Sequence, residues 1–304
     1  MKGLIISFFV SFFLTLFSFQ TLSCFSESKV FALPLLHFSH LSSLSLTRSS
    51  SITSKLDTIK LISFNVYFRP IHSELRTQRT IEILREFQPD ILALQEVSEG
   101  WFAAKNNPAE VIAKELHYFI QQCEFESFKP FFSSGLAILS KWPIQKKECH
   151  QFEKNNLFNT KGFMKADINT SFGEIVVVNL HMAATQRKSI KHPQMKQLVT
   201  FLNTFDSDIP LFLVGDFNEI PESDELSFLI DKVSELQNLY NFFEDGKKNT
   251  AVSYGKACDD NDGHRVDYIF FSKQNSFRVL FGQIYSPLPP YPSDHCMIMG
   301  NFRF

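Results

Sequence analysis

Several things that would assign this chain early are missing from it. It has no Lys/Arg block and a formal charge of only -2 over 304 residues, so the electrostatic footprint of a tight, non-specific nucleic-acid binder is absent from its composition. None of its five cysteines, Cys24, Cys123, Cys149, Cys258 and Cys296, forms a CxxC pair or a zinc spacing, which argues against a structural zinc site. No internal repeat is evident, which sets repeat arrays aside. What is abundant is apolar: 44% of the residues are hydrophobic and 35 are Phe, enough for one large core or two modest ones.

Residues 1–23 read as an address. Met1-Lys2-Gly3 precedes a run from Leu4 to Phe19 that is apolar apart from a few Ser and Thr, the form of a secretory signal with Thr21-Leu22-Ser23 before a cleavage site. The same run is nearly long enough for an uncleaved anchor, and Cys24 also permits a lipoprotein. The expected location is therefore secreted, periplasmic or membrane-anchored. Residues 24–57 are Ser- and Leu-rich without clear periodicity and read as a linker or lead-in.

From residue 58 onward, apolar runs of strand length stop repeatedly on polar side chains. Thr58 to Val66 carries Asn65 at its end, Asp90 to Val97 breaks at Glu96, and Glu174 to Val178 leads to His181. Pro210 to Gly215 is a buried strand ending at Asp216, with Asn218 two residues on; alternation would put both on one face, although Asp-Phe-Asn closed by Pro221 is also an ordinary turn. His264 to Phe271 carries Asp267, and Asp294-His295 stands just before the last strand. Helices are expected over Arg79 to Phe87, Pro108 to Gln122 and Lys191 to Phe205. Because they fall between pairs of strands, the fold class is α/β, a four-layer sandwich of two packed mixed sheets flanked by helices.

Oxygen donors from Glu96, Asn65 and Asp294 suit Mg²⁺, with Mn²⁺ as the alternative, completed by phosphate oxygens of a substrate. Each His needs an orienting acid, and Asp267 is the natural partner of His295. His295 and Asp216 would then position and deprotonate a water for in-line attack on phosphorus, while Asn218 and His181 bind the phosphoryl group and offset its charge.

Taken together, Ser-Phe-Asn65, Leu-Gln95-Glu96, Asn-Leu-His181, Gly-Asp216-Phe-Asn218, Arg-Val-Asp267-Tyr and Ser-Asp294-His295 resemble the endonuclease/exonuclease/phosphatase superfamily in order and spacing, from residue 59 to the end. The resemblance implies a divalent metal and hydrolysis of a phosphate ester by residues 58–304. Lys161-Gly162, His181-Met-Ala-Ala184 and Gly135 to Lys141 look like neutral sphingomyelinases, and Lys191-His-Pro-Gln194 resembles their Arg-x-x-Gln, with Lys in place of Arg. That implies a phospholipid phosphodiester as substrate, Lys161 as a phosphate contact and a membrane surface as partner, with no obligate protein partner evident. A secreted DNase-like nuclease acting on nucleic acid, and a phosphoinositide phosphatase, carry nearly the same motifs. In an oxidising compartment Cys123, Cys149 and Cys258 are loop-side candidates for a disulfide, and Cys296 reads as a packed thiol.

Overall fold

The computed structural model describes residues 57–153, 161–205, 208–243, 249–258, 263–273 and 277–304. The expected signal or anchor over 1–23, and the lead-in up to residue 56, lie outside them.

In chain order the main elements are β1 (Thr58–Asn65), α1 (Ser73–Phe87), β2 (Ile91–Glu99), α2 (Pro108–Leu116), β3 (Phe119–Phe128) and β4 (Phe132–Ser140). There follow β5 (Ile144–Gln151), β6 (Gly162–Thr170), β7 (Gly173–His181), α3 (Lys188–Leu202), β8 (Leu211–Asp216) and α4 (Asp224–Lys232). The last are β9 (Leu236–Asn238), β10 (Asp267–Ser272), β11 (Arg278–Tyr285) and β12 (Met297–Arg303). They form two six-stranded sheets, ordered β11-β12-β1-β2-β4-β3 and β5-β6-β7-β8-β10-β9. Each is mixed, parallel at β1/β2 and β7/β8 respectively.

Period two sorts each strand's side chains into separate cores. Leu61, Ile91, Ile138, Val177, Phe212 and Ile298 fill the space between the sheets. Their sequence neighbours Ile62, Leu92, Leu139 and Met297 pack instead with Ile81 and Leu84 of α1 and Ile112 of α2. On the far side Val178, Leu213 and Phe270 meet Met195 and Leu198 of α3 and Leu226 and Leu229 of α4. Strands covered on both faces must be apolar throughout, which is why their runs are continuous. The result is the expected four-layer α/β sandwich.

Three expectations shift. The helix beginning at Pro108 is started by Asn107, whose side chain accepts from the Ala109 and Glu110 N–H groups, but it stops at Leu116 with His117 left-handed at φ 58°. Gln121 and Gln122 therefore belong to β3, paired with Ile138 and Ala137, because a strand edge supplies them with partners that local periodicity does not register. The helices expected from Arg79 and Lys191 start earlier, at Ser73 and Lys188, and neither has a side-chain N-cap to announce its start. Finally, Cys296 is not a packed thiol: it is bonded to Cys258, while Cys123 and Cys149 are bonded to each other from β3 and β5, on strands and not in loops. Cα separations of 5.7 and 6.3 Å suit both bridges.

Candidate active site

The register brings the polar residues to one end of both sheets. Asn65 lies opposite Gln95 across the parallel β1/β2 pair, His181 opposite Asp216 across β7/β8, and Asp267 opposite Asp216 across the antiparallel β8/β10 pair. Asp294 and His295 arrive from the loop before β12. Their approach requires a glycine at 215: its φ is +134°, and a Cβ there would stand 2.1 Å from the Leu180 carbonyl oxygen.

Two residues are positioned by devices other than a strand end. Glu96 sits inside β2, at a bulge between Leu94 and Val97, with φ 57°. The extra residue re-aims its carboxylate, which accepts the Phe68 N–H at 2.9 Å. Asn218 is placed by a turn and not by alternation. Its φ is 51°, its N–H donates to Asp216 Oδ1 at 2.8 Å, and its side chain donates to the Met182 carbonyl at 3.0 Å.

Asp216 is the hub and is almost fully buried. Its Oδ2 accepts from Asn65 Nδ2 at 3.1 Å and lies 3.3 Å from His181 Nε2 and 3.9 Å from His295 Nε2. The other ring nitrogen of His295, Nδ1, is 2.8 Å from Asp267 Oδ2. Ligand atoms of Asp216, Asp267 and His295 all fall within 4.8 Å of one another. Lys161 lies near enough for its charge to act on His181.

Burial, and then the Asp267 charge, push the Asp216 carboxyl up to about 7; burial and Glu96 push Asp294 up to about 6, against the opposing pull of His295. His181 goes the other way, held well below an ordinary imidazole by burial and by the Lys161 and His295 charges. Burial also works against a charge on His295, but the Asp267, Asp216 and Asp294 carboxylates outweigh it and hold its pKa well above the ordinary value. The site is thus a buried basin of acids around an imidazole whose charged form they favour.

Four supporting residues escaped the sequence reading. Arg76, buried on α1, donates to the carbonyls of Val66, Tyr67, Arg69, Ile71 and Pro292, tying the loop after β1 to the loop that carries Asp294. Ser293 Oγ donates to the Asn65 carbonyl at 2.6 Å and accepts the His295 N–H at 3.1 Å. Thr250 Oγ1 accepts the N–H groups of Val266 and Asp267, each at 3.0 Å. Asn179 accepts from Gln95 at 2.7 Å, a polar tie between the sheets. Asn179 does end the apolar run of β7 but was passed over for His181, and the other three end no apolar run, so no local pattern singled them out. Lys191 is buried as well, ion-paired to Glu219 at 2.9 Å and donating to the Asn218 carbonyl.

Carboxylates, amides and imidazoles converging at the mouth of a two-sheet sandwich define a hydrolase of phosphate esters. The chain belongs to the endonuclease/exonuclease/phosphatase family, whose sequence profile matches residues 62–295. Enzymes of this family generally depend on a divalent metal. Exodeoxyribonuclease III of Haemophilus influenzae is 24% identical over 281 residues, covering 81% of this chain and 100% of that protein. Sphingomyelinase C 2 of Leptospira interrogans is 28% identical over 160 residues, covering 47% of this chain but only 25% of that protein. The human nocturnin catalytic domain shares the fold at a TM-score of 0.65 and 19% identity, over 82% of this chain and 94% of that one.

Proposed function

We propose that the protein is an exported, Mg²⁺-dependent phosphodiesterase that hydrolyses a phospholipid headgroup bond, as sphingomyelinases do. The observation that carries the substrate class is how the buried cations near the site are used. Arg76 is engaged by backbone carbonyls and Lys191 by Glu219 and the Asn218 carbonyl, so neither is presented to a polyanion. A nucleic-acid backbone, with a phosphate at every step, is bound largely through such cations, whereas a single headgroup phosphodiester does not need a track of them. Two disulfides support export, since they persist in oxidising compartments.

A hard divalent cation suits the residues present. Asp294 and Glu96 are close enough for the Glu96 charge to add to burial in raising the Asp294 carboxyl, and a cation between them would offset both. Glu96, Asn65 and Asp294 would hold Mg²⁺, with Mn²⁺ able to replace it. We assign these and not the Asp216, Asp267 and His295 group, because those three are kept for the attacking water and its proton, with Asp267 Oδ2 on His295 Nδ1 and Asp216 Oδ2 beside His181. Bound there, the metal supplies positive charge for the phosphoryl oxygens and the leaving group.

The remaining roles follow from the hydrogen bonds. Asp267 fixes the direction of the His295 ring and favours its charged form. In its anionic form Asp216, favoured by the neighbouring His295, orients the attacking water and accepts its proton. His181, neutral, and Asn218 donate to the phosphoryl oxygens, with Lys161 as a further phosphate contact.

A second reading, a secreted DNase-like nuclease, is favoured by the match that covers the whole of an exodeoxyribonuclease. The test is hydrolysis of sphingomyelin vesicles and nicking of plasmid DNA in parallel, with Mg²⁺, with chelator, and with His295→Ala. Phosphocholine release that needs Mg²⁺ and His295, without nicking, is expected. Nicking with intact vesicles would move the protein to the nucleases. Silence on both, with release of phosphate from a phosphoinositide, would overturn the headgroup reading in favour of a phosphatase.

A further inference from the structure

Beside the site, two loops present aromatic rings to solvent. Trp101 is 73% exposed, Phe102 46% and Phe128 67%. Phe131 lies at their centre, with ring centroids 5.0, 5.8 and 5.4 Å from those three respectively. Large rings left outside a core that has ample room for Phe are costly in water, and a contiguous patch of them marks an interaction surface.

The patch is built and held in place. The Trp101 and Phe102 N–H groups donate to the Pro130 and Phe131 carbonyls at 3.2 and 2.9 Å, joining the loop after β2 to the β3–β4 turn. Gly100, with φ +124°, permits this: a Cβ there would stand 2.6 Å from the Phe131 carbonyl oxygen. The patch is also continuous with the site. Phe132, the first residue of β4, packs edge-on against Phe68 at 6.2 Å, and the Phe68 N–H is the donor to Glu96.

Charge selects the occupant. Lys129 at the tip of the turn is held between Glu124 at 2.9 Å and Glu99 at 3.6 Å. A stacking platform for single-stranded nucleic acid combines its rings with a positive groove along the backbone, and an anionic membrane likewise recruits unpaired Lys and Arg. A tip cation offset by two carboxylates serves neither. Amphipathic rings on a tip whose one cation and two carboxylates leave no positive charge to spare suit the headgroup zone of a zwitterionic bilayer.

We propose that Trp101, Phe102, Phe128 and Phe131 form a docking shelf that inserts into the interfacial zone of a zwitterionic phospholipid bilayer and so seats the active site over the headgroups. The inference rests on the phospholipid reading above, and its test separates the two. In the full chain carrying Trp142→Phe, Trp101 is the sole tryptophan. Phosphatidylcholine–sphingomyelin vesicles with brominated acyl chains are expected to quench its fluorescence. Phe102→Ser with Phe128→Ser, both at exposed positions, should abolish that quenching. It should also lower hydrolysis of vesicles at least about tenfold, given the transfer free energy of two rings, while hydrolysis of a monomeric short-chain phosphocholine ester stays unchanged.

Vesicle hydrolysis by the parent chain without quenching of Trp101 would overturn the shelf and leave the phospholipid reading standing. Quenching without lipid hydrolysis would uphold the shelf and sink the substrate. Change of the Trp101 signal by single-stranded DNA and not by vesicles would overturn the shelf in favour of a base-stacking platform, and equal loss on vesicles and monomers in the double variant would reduce it to a structural role.

Discussion

Asp267 shows how much of this site depends on one contact. Its Oδ2 holds His295 Nδ1 at 2.8 Å while its Oδ1 has no partner. Asp267→Asn keeps the shape but withdraws the charge that keeps His295 protonated. The expected loss in kcat is about 10²–10⁴-fold, with unchanged circular dichroism; near-normal turnover would remove His295 from the proposed chemistry. Arg76 is the structural counterpart. Arg76→Met leaves several buried carbonyls without a donor, and we expect a loss of about 2–4 kcal/mol in urea unfolding. A drop in kcat should accompany it, because Arg76 joins the loops on either side of the site.

The raised carboxyls give a pH signature. A carboxylate whose pKa is higher in the folded state binds its proton more tightly there, so its contribution to stability is present at low pH and is lost as pH rises. For Asp216, raised from 3.8 to about 7, and Asp294, raised to about 6, the loss falls between those values. His295, also raised, contributes stability that is full below about 6.5 and disappears only well above it. Metal-free protein should therefore lose thermal stability from about pH 4 to about pH 7, and Mg²⁺ should restore more at about pH 8 than at about pH 5, where protons compete with it. Equal stabilisation by Mg²⁺ at both pH values would count against these acids surrounding the ion.

At the scale of elements, β8 and the turn after it do the positioning. Gly215→Ala puts a methyl against the Leu180 carbonyl at a backbone angle that side chains rarely adopt. A penalty of about 1–3 kcal/mol is expected from the strain, and the activity loss should exceed it, because β7 must move away and His181 with it. Much of this was legible in the sequence: the apolar run ending in Gly-Asp-Phe-Asn announced both a strand and a turn. Glu96 was legible as a residue and not as a device. An apolar run broken by a carboxylate looks like a strand end, and only the pairing with β4 shows that the strand continues through a bulge. Strands β5 and β11 were missed because both lie at sheet edges: β5 is largely exposed and polar, and β11 has Gly282 and Gln283 breaking its apolar run.

For the molecule as a whole, the two disulfides divide the work. Cys123–Cys149 joins the edge strand of one sheet to the edge strand of the other across 26 residues. Removing it with Cys123→Ser and Cys149→Ser should cost about 3.5 kcal/mol by the loop-entropy estimate and leave kcat unchanged. Cys258–Cys296 sits next to His295, and Cys296 N–H donates to the carbonyl of Thr250, whose hydroxyl accepts the Asp267 N–H. Its removal should lower stability and turnover together, as comparison of denaturation and kinetics in both pairs of variants will read. Those pairings were beyond the sequence, which distinguishes neither which strands lie at sheet edges nor which edges face each other. The sequence by itself determined the strands buried on both faces, because period two and continuous apolarity are local, and it determined which acids, amides and imidazoles stand at their ends. Only the tertiary structure decided that Asp216 is the hub, that Arg76, Thr250 and Ser293 hold the loops around it, and that three exposed rings gather on half-buried Phe131. Those are contacts between residues up to 228 positions apart, and such contacts exist only once the two sheets have packed together.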